Sequence, residues 1–134
     1  MILAPRNPQH IIGVLDWELT TLGDPLMDMG NTLAYWIEAS DPALLQQMRG
    51  QPSHAPGRLT RRECMDYYAE CAGIEINNYD FYYLCRLFRL AGIVQQIYYR
   101  YYHGQTQDKR FAPFVQMNAM LEQMILNVIK HSRL

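Results

Sequence analysis

Asp16 and Glu18 stand two residues apart at the end of an apolar run, Ile11-Ile12-Gly13-Val14-Leu15. On a strand, alternate side chains share a face. That spacing would carry both carboxylates to one side and put Trp17 on the other. Two acids so close repel each other unless a cation or a basic group lies between them. The plainer reading, a strand end with a solvated acidic rim, is the one that spacing alone favours. A glycosidase pair does not fit, because acids at i and i+2 of one strand approach a substrate from one side instead of flanking the scissile bond. The chain also lacks a glycine-rich phosphate loop, an HExxH helix and a serine in a nucleophile elbow.

The elements that must hold these acids are legible from pattern. A short apolar run over Met1–Ala4, a turn over Pro5–Gln9 and a strand over Ile11–Trp17 predict a β-hairpin. A lone hairpin is marginal in water, so it has to bury a face against helices or further strands. Asp24-Pro25 is a helix start, the acid capping free N–H groups and the proline taking the first helical position. Leu26, Met29, Leu33 and Ile37 then recur at helical spacing, widened by Met27, Ala34 and Trp36, which predicts an almost fully buried helix. Asp28 falls in its first turn, where the helix dipole stabilises an acid, so Asp24 and Asp28 read as structural.

Asp41-Pro42 repeats the start signal for a short helix to about Met48, and Gly50–Leu59 reads as a loop carrying a solvated His54. Thr60 with Glu63 forms a capping box that opens a helix from Arg61 to about Cys71, ending near Gly73. A long helix follows from Tyr79 or Asp80 to about His103, stopped by Gly104. Phe81, Leu84, Phe88, Ala91 and Gln95 form one of its faces, and Leu87, Leu90, Val94, Ile97 and Tyr101 an adjacent one, which predicts a place in the middle of a bundle. A last helix runs from about Ala112 to Lys130. The fold class is therefore mainly α, a β-hairpin followed by a helical bundle.

Ile12-Gly13-Val14-Leu15-Asp16-Trp17-Glu18, with Gly23-Asp24-Pro25 and Asp28, resembles the metal-binding segment of the aminoglycoside phosphotransferase and choline-kinase-like family, in the branch associated with acyl-CoA dehydrogenases. The resemblance implies the C-terminal lobe of a protein-kinase-like fold. It implies that Asp16 holds Mg2+ against the phosphates of ATP, that Glu18 assists with metal, and that Asp24 and Asp28 are structural near the site. It also implies transfer of a γ-phosphoryl group to the hydroxyl of a small-molecule acceptor. Sugars, amino alcohols, aminoglycosides and hydroxyacyl thioesters are all compatible acceptors. The family's glycine-rich loop, its ATP-contacting Lys and its His-Gly-Asp catalytic loop would lie before Met1. The chain thus looks like the C-terminal part of a kinase, expected to be inactive alone. The competing reading is a non-catalytic interaction module derived from such a lobe.

Composition narrows the partners. A chain of 134 residues, 49% hydrophobic and 19% charged, suits one globular domain. A net charge of −1 provides no field for nucleic acid or an anionic membrane surface. There is no run of 18 apolar residues and no signal peptide, since Pro5 and Pro8 interrupt the start. Cys64, Cys71 and Cys85 form no CxxC pair and read as free buried thiols, so a cytoplasmic location is the default. Missing lobe contacts would leave an apolar face beside the hairpin, which predicts a homo-oligomer. Tyr98, Tyr99, Tyr101 and Tyr102 cannot all face one point, because neighbours on a helix are about 100° apart, so packing is preferred to an aromatic cage. Arg86, Arg89 and Arg100 are expected in intrahelical or surface ion pairs.

Overall fold

Only two residues, Pro5 and Arg6, separate the strands β1 (Ile2–Ala4) and β2 (Asn7–Gly13) of the N-terminal hairpin. The computed structural model describes residues 1–18, 20–47 and 49–132. The strands pair antiparallel as Ile2 with Gly13, Leu3 with Ile11 and Ala4 with Asn7. A three-residue strand faces a seven-residue one, so the register shifts twice and the longer strand bulges. The second strand therefore ends at Gly13, not at Trp17, and lies nearer the N-terminus than the apolar run suggests. Its expected burial is also absent. Ile2, Leu3, Ile11, Ile12, Val14 and Leu15 are all exposed, and Trp17 is 62% exposed, its indole N–H donating to the Val14 carbonyl at 2.7 Å.

The helices are α1 (Pro25–Ala34), α2 (Ala43–Gln47), α3 (Arg61–Ala72), α4 (Tyr79–Tyr102) and α5 (Phe114–His131), with a 3-10 turn at Lys109–Phe111 before the last. Their starts follow the capping chemistry. The Asp24 carboxylate accepts from Leu26 N at 2.9 Å, and the Thr60 and Glu63 side chains cap each other's backbone. Their stops follow backbone geometry. Gly73 and Gly104 take φ of 65° and 70°, conformations that a Cβ penalises. α1 ends at Ala34, short of Ile37. It buries Gly30 and Leu33 but leaves Asp28 and Thr32 exposed, so it is one-sided and not engulfed. The end expected for α2, Met48, lies outside the described residues.

α4 is the axis of the domain, packed by both α1 and α5. Only one of its two apolar faces becomes core. Tyr83, Leu87, Leu90 and Val94 are buried with Leu33, Met65 and Leu121, whereas Phe88 on the other face is 73% exposed and Phe81 is also exposed. Leu33, Met65, Leu87 and Leu121 are the largest fully buried side chains, each contributing about 1.5–3 kcal/mol by burial. Of the three cysteines, all free, Cys71 is exposed and Cys64 and Cys85 are half-buried, so the thiols are less hidden than expected.

Candidate functional site

The two acids lie past the end of β2, on the segment that links the hairpin to α1. Asp16 adopts φ 76°, the one non-glycine residue with positive φ among the described residues. This left-handed conformation costs an ordinary L-residue about 1–2 kcal/mol, and Asp tolerates it better than most. Asp16 and Glu18 therefore do not share a strand face, because the alternation stops at Gly13. Both are exposed. Among the described residues neither carboxylate is hydrogen-bonded or paired with a cation. Glu18 lies in a turn closed by Thr20 N donating to the Trp17 carbonyl at 3.0 Å, and Asp16 just precedes it.

Asp24 ties this segment to the helices. One oxygen caps α1 through Leu26 N, and the other accepts from the Tyr82 hydroxyl of α4 at 2.8 Å. That bond to Asp24 raises the Tyr82 pKa, since an acceptor carboxylate favours the protonated phenol. Asp28 is exposed in the first turn of α1, where its backbone carbonyl accepts from the Thr32 hydroxyl at 3.1 Å. No group of three or more His, Cys, Asp or Glu side chains converges among the described residues. Magnesium does not require such a group, since it commonly uses one or two carboxylates and completes its shell with substrate phosphates and water. The exposed, unpaired Asp16 and Glu18 carboxylates fit that donor chemistry.

A second polar centre was not legible in the sequence. Arg61, the first residue of α3, donates from Nε to the Trp36 carbonyl at 2.8 Å, pairs with Asp41, and lies 3.7 Å from Glu38. Its guanidinium also stands 5.8 Å from the centroid of the Tyr83 ring. Burial opposes its charge, but the hydrogen bond to Asp41 and the neighbouring Tyr83, Asp41 and Glu38 outweigh that, so its pKa is raised. Asp41, Glu38 and Trp36 are 20, 23 and 25 residues away in sequence, beyond any local pattern. An apolar cavity of about 180 Å3 adjoins this centre, lined by Arg61 with Ile37, Leu45, Leu90, Leu121 and Met124 among others. None of Asp16, Glu18, Asp24 or Asp28 lines it.

Other sequence candidates resolve as follows. His54 is half-buried with Nδ1 hidden from solvent, because Ser53 fastens its loop by donating to the Ile37 carbonyl at 2.8 Å and accepting from Ile37 N at 3.1 Å. Tyr98 contacts Tyr101 and Tyr102 with ring centroids 6.4 and 6.2 Å apart, a packed ladder along α4 and not a cage. Arg86, Arg89 and Arg100 form no ion pair among the described residues. Arg89 instead donates to Asn31 Oδ1 at 2.8 Å.

The acid-bearing segment and its helical anchor have counterparts among known proteins. Residues 1–64 match the phosphotransferase enzyme family. They belong to it. The matched phosphotransferase segment runs from the hairpin through Asp16, Glu18 and the whole of α1 into α3. Relatives include acyl-CoA dehydrogenase family member 10 of Mus musculus, 40% identical over 110 residues, which is 81% of this chain and 10% of that protein. Family member 11 of Homo sapiens is 35% identical, covering 75% of this chain and 13% of that protein. Family member 11 of Gallus gallus is 30% identical, covering 96% of this chain and 17% of that protein. The chain thus spans less than a fifth of the length of these relatives, and the likeness extends beyond the phosphotransferase segment into the later helices. No solved structure matches the chain. Among the described residues, no helix is long and apolar enough to cross a membrane.

Proposed function

We propose that this chain is the metal-binding and helical portion of an ATP-dependent small-molecule kinase, which moves the γ-phosphoryl group of ATP to a substrate hydroxyl. The observation that carries the reading is the left-handed backbone of Asp16, at the position where the family resemblance expects the magnesium ligand. Strained backbone at a polar residue is a pointer to function. Bound magnesium would neutralise charge on the phosphates, and phosphoryl transfer depends mainly on such neutralisation and on positioning. Asp16 would hold the ion, with Glu18 two residues on assisting. Asp24 would hold the segment's far end still, clamped between the α1 N-terminus and Tyr82. The nucleotide lobe and the catalytic base would come from chain preceding Met1, and this chain alone would not turn over ATP.

The test is Asp16→Asn in the full-length protein, which keeps the shape and removes the charge. Turnover should fall by about 100-fold or more, the scale of losing a charge-stabilising group, with the denaturation midpoint unchanged. Unchanged turnover in a folded variant would sink the metal role. ATP-dependent turnover by the 134-residue chain at rates typical of kinases would overturn its expected inactivity.

A second reading draws on the hairpin. Its exposed Ile2, Leu3, Ile11 and Ile12 favour a further protein surface against it, either the preceding lobe or a second copy. Self-association of this chain by light scattering is the expected result, and a monodisperse monomer would count against it.

A further inference from the structure

Among the described residues, the apolar cavity of about 180 Å3 beside Arg61 has two walls of different origin. The inner wall is core, made by Leu90 of α4 with Met117, Leu121 and Met124 of α5. The outer wall belongs to the segment between α1 and α3, through Ile37 and through Leu45 of α2. Leu90, Leu121, Ile37 and Leu45 are all buried, so the space reaches into the domain. It opens past Tyr35, Gly50 and Gln51, which are exposed, and a Cβ on Gly50 would meet nothing within 4 Å. Polar bonds hold the outer wall where it stands. Ser53 fastens Ile37 through both its N–H and its carbonyl, and Arg61 Nε donates to the Trp36 carbonyl at 2.8 Å. The segment is therefore tied and not free to collapse onto α4 and α5. Native interiors hold few voids larger than a water molecule, because an empty apolar space forfeits the dispersion contacts of its lining. Water is a poor occupant too, since a buried water needs about two to four polar partners and the inner wall has no polar side chain.

We infer that this cavity is a binding site for a neutral, mostly apolar group of about six carbons, an alkyl chain or an aryl ring. The size follows from the volume, since an apolar cavity of about 150 Å3 is enough to take up benzene. Met117 and Met124 suit such a ligand, because unbranched thioethers adapt to varied shapes. The neutrality follows from the charges at the rim. Arg61 already faces the carboxylates of Asp41 and Glu38, so the centre holds two acids to one base and an anion gains nothing by entering. A cation would have to leave water for apolar walls. Binding does not rest on the kinase reading.

The test titrates n-hexanol into the 134-residue chain, with hexanoate and hexylammonium as charged counterparts of the same length. Methionine methyl resonances and the melting temperature are followed. Saturable shifts at Met117 and Met124 but not at the exposed Met1, with a rise in melting temperature that neither charged counterpart reproduces, are the expected result. Ala34→Leu, which enlarges a side chain of the lining, should weaken binding several-fold or more. Met117→Ala, which enlarges the cavity, should move the preference from n-hexanol to n-octanol, and it serves as the probe if the leucine variant does not fold. Asp16→Asn should bind like the parent, which separates this inference from the metal role. In the full-length protein, hexanol binding that changes when magnesium and a non-hydrolysable ATP analogue are added would tie the cavity to turnover, and indifference to them would assign it to a small molecule outside the reaction. Shifts that do not saturate, shifts as large at Met1 as at the cavity methionines, or binding unchanged by both Ala34→Leu and Met117→Ala would mean that the alcohol only coats apolar surface and would overturn the inference.

Discussion

The first 24 residues and the rest of the chain are built on opposite terms. The hairpin and its exit turn are held by local backbone pairing, and their aliphatic side chains face out. The helices are held by one continuous apolar cluster around α4, tied at α3 by a half-buried ionic centre. The segment bearing the candidate metal ligands is thus the one that contributes least to the core. This is a common division, because binding groups must stay reachable while a rigid scaffold fixes their position. Here the scaffold grips that segment through Asp24, bonded at once to α1 and α4.

The contrast is sharpest in a pair of truncations. Leu87→Ala should lower unfolding stability by about 2–5 kcal/mol, the range for emptying a fully buried site, since Leu87 is 0% exposed. Denaturant titration reads this directly. Arg61→Ala should cost about 3–5 kcal/mol, because it strands Asp41 and Glu38 where little solvent reaches them. A loss below about 1 kcal/mol would make the centre a surface ion pair in energetic terms.

Alkaline pH should reach the helical region alone. Burial pushes the Tyr79 and Tyr83 phenols up to about 12 from an ordinary value of 10, with the nearby Arg61 charge partly offsetting it. A raised folded pKa favours the protonated form. Its contribution is therefore complete below pH 10 and is lost as pH rises from 10 towards 12, by about 2–3 kcal/mol for the buried Tyr83 and by less for Tyr79, whose partial exposure lets solvent screen the effect. Tyr79→Phe with Tyr83→Phe should flatten that fall in the denaturation midpoint.

Gly30→Ala inverts a helix rule. Alanine normally improves a helix interior by about 1 kcal/mol, but here the added Cβ would stand 2.5 Å from the Tyr82 carbonyl oxygen. The expected outcome is a loss of about 1–3 kcal/mol by overpacking, seen as a lower melting temperature. Smallest of all, Ile12→Ala in the exposed hairpin should change stability by less than about 0.5 kcal/mol when measured at dilution, where the chain is monomeric. A large loss there would mean that the hairpin face is covered in solution.

What could be read from the sequence was local. The Asp24-Pro25 start, the Thr60 and Glu63 capping box and the stops at Gly73 and Gly104 each encode a turn of backbone within a few residues, and the structure has them. The strand end was misread because Val14 and Leu15 carry strand propensity, whereas pairing is limited by the three residues that β1 provides. The choice between the two apolar faces of α4 was undecidable, since it depends on where α1 and α5 dock. The Arg61 centre and the apolar cavity beside it both arise from residues distant in sequence, which no periodicity records. At the candidate site, the acids were found by type and spacing, but the left-handed backbone at Asp16 was not.

The two tryptophans fall one on each side of this division. Trp17 is open to solvent at the hairpin exit, while Trp36 is half-buried, its indole N–H donating to the Leu59 carbonyl at 2.9 Å. The molecule therefore carries two intrinsic fluorophores with contrasting surroundings, a red-shifted, iodide-quenchable emitter at Trp17 and a shielded one at Trp36. Single Trp→Phe variants would turn each into a separate optical channel. Engagement of the acid-bearing segment by metal, nucleotide or another protein surface would appear in the first channel, and loosening of the helices in the second.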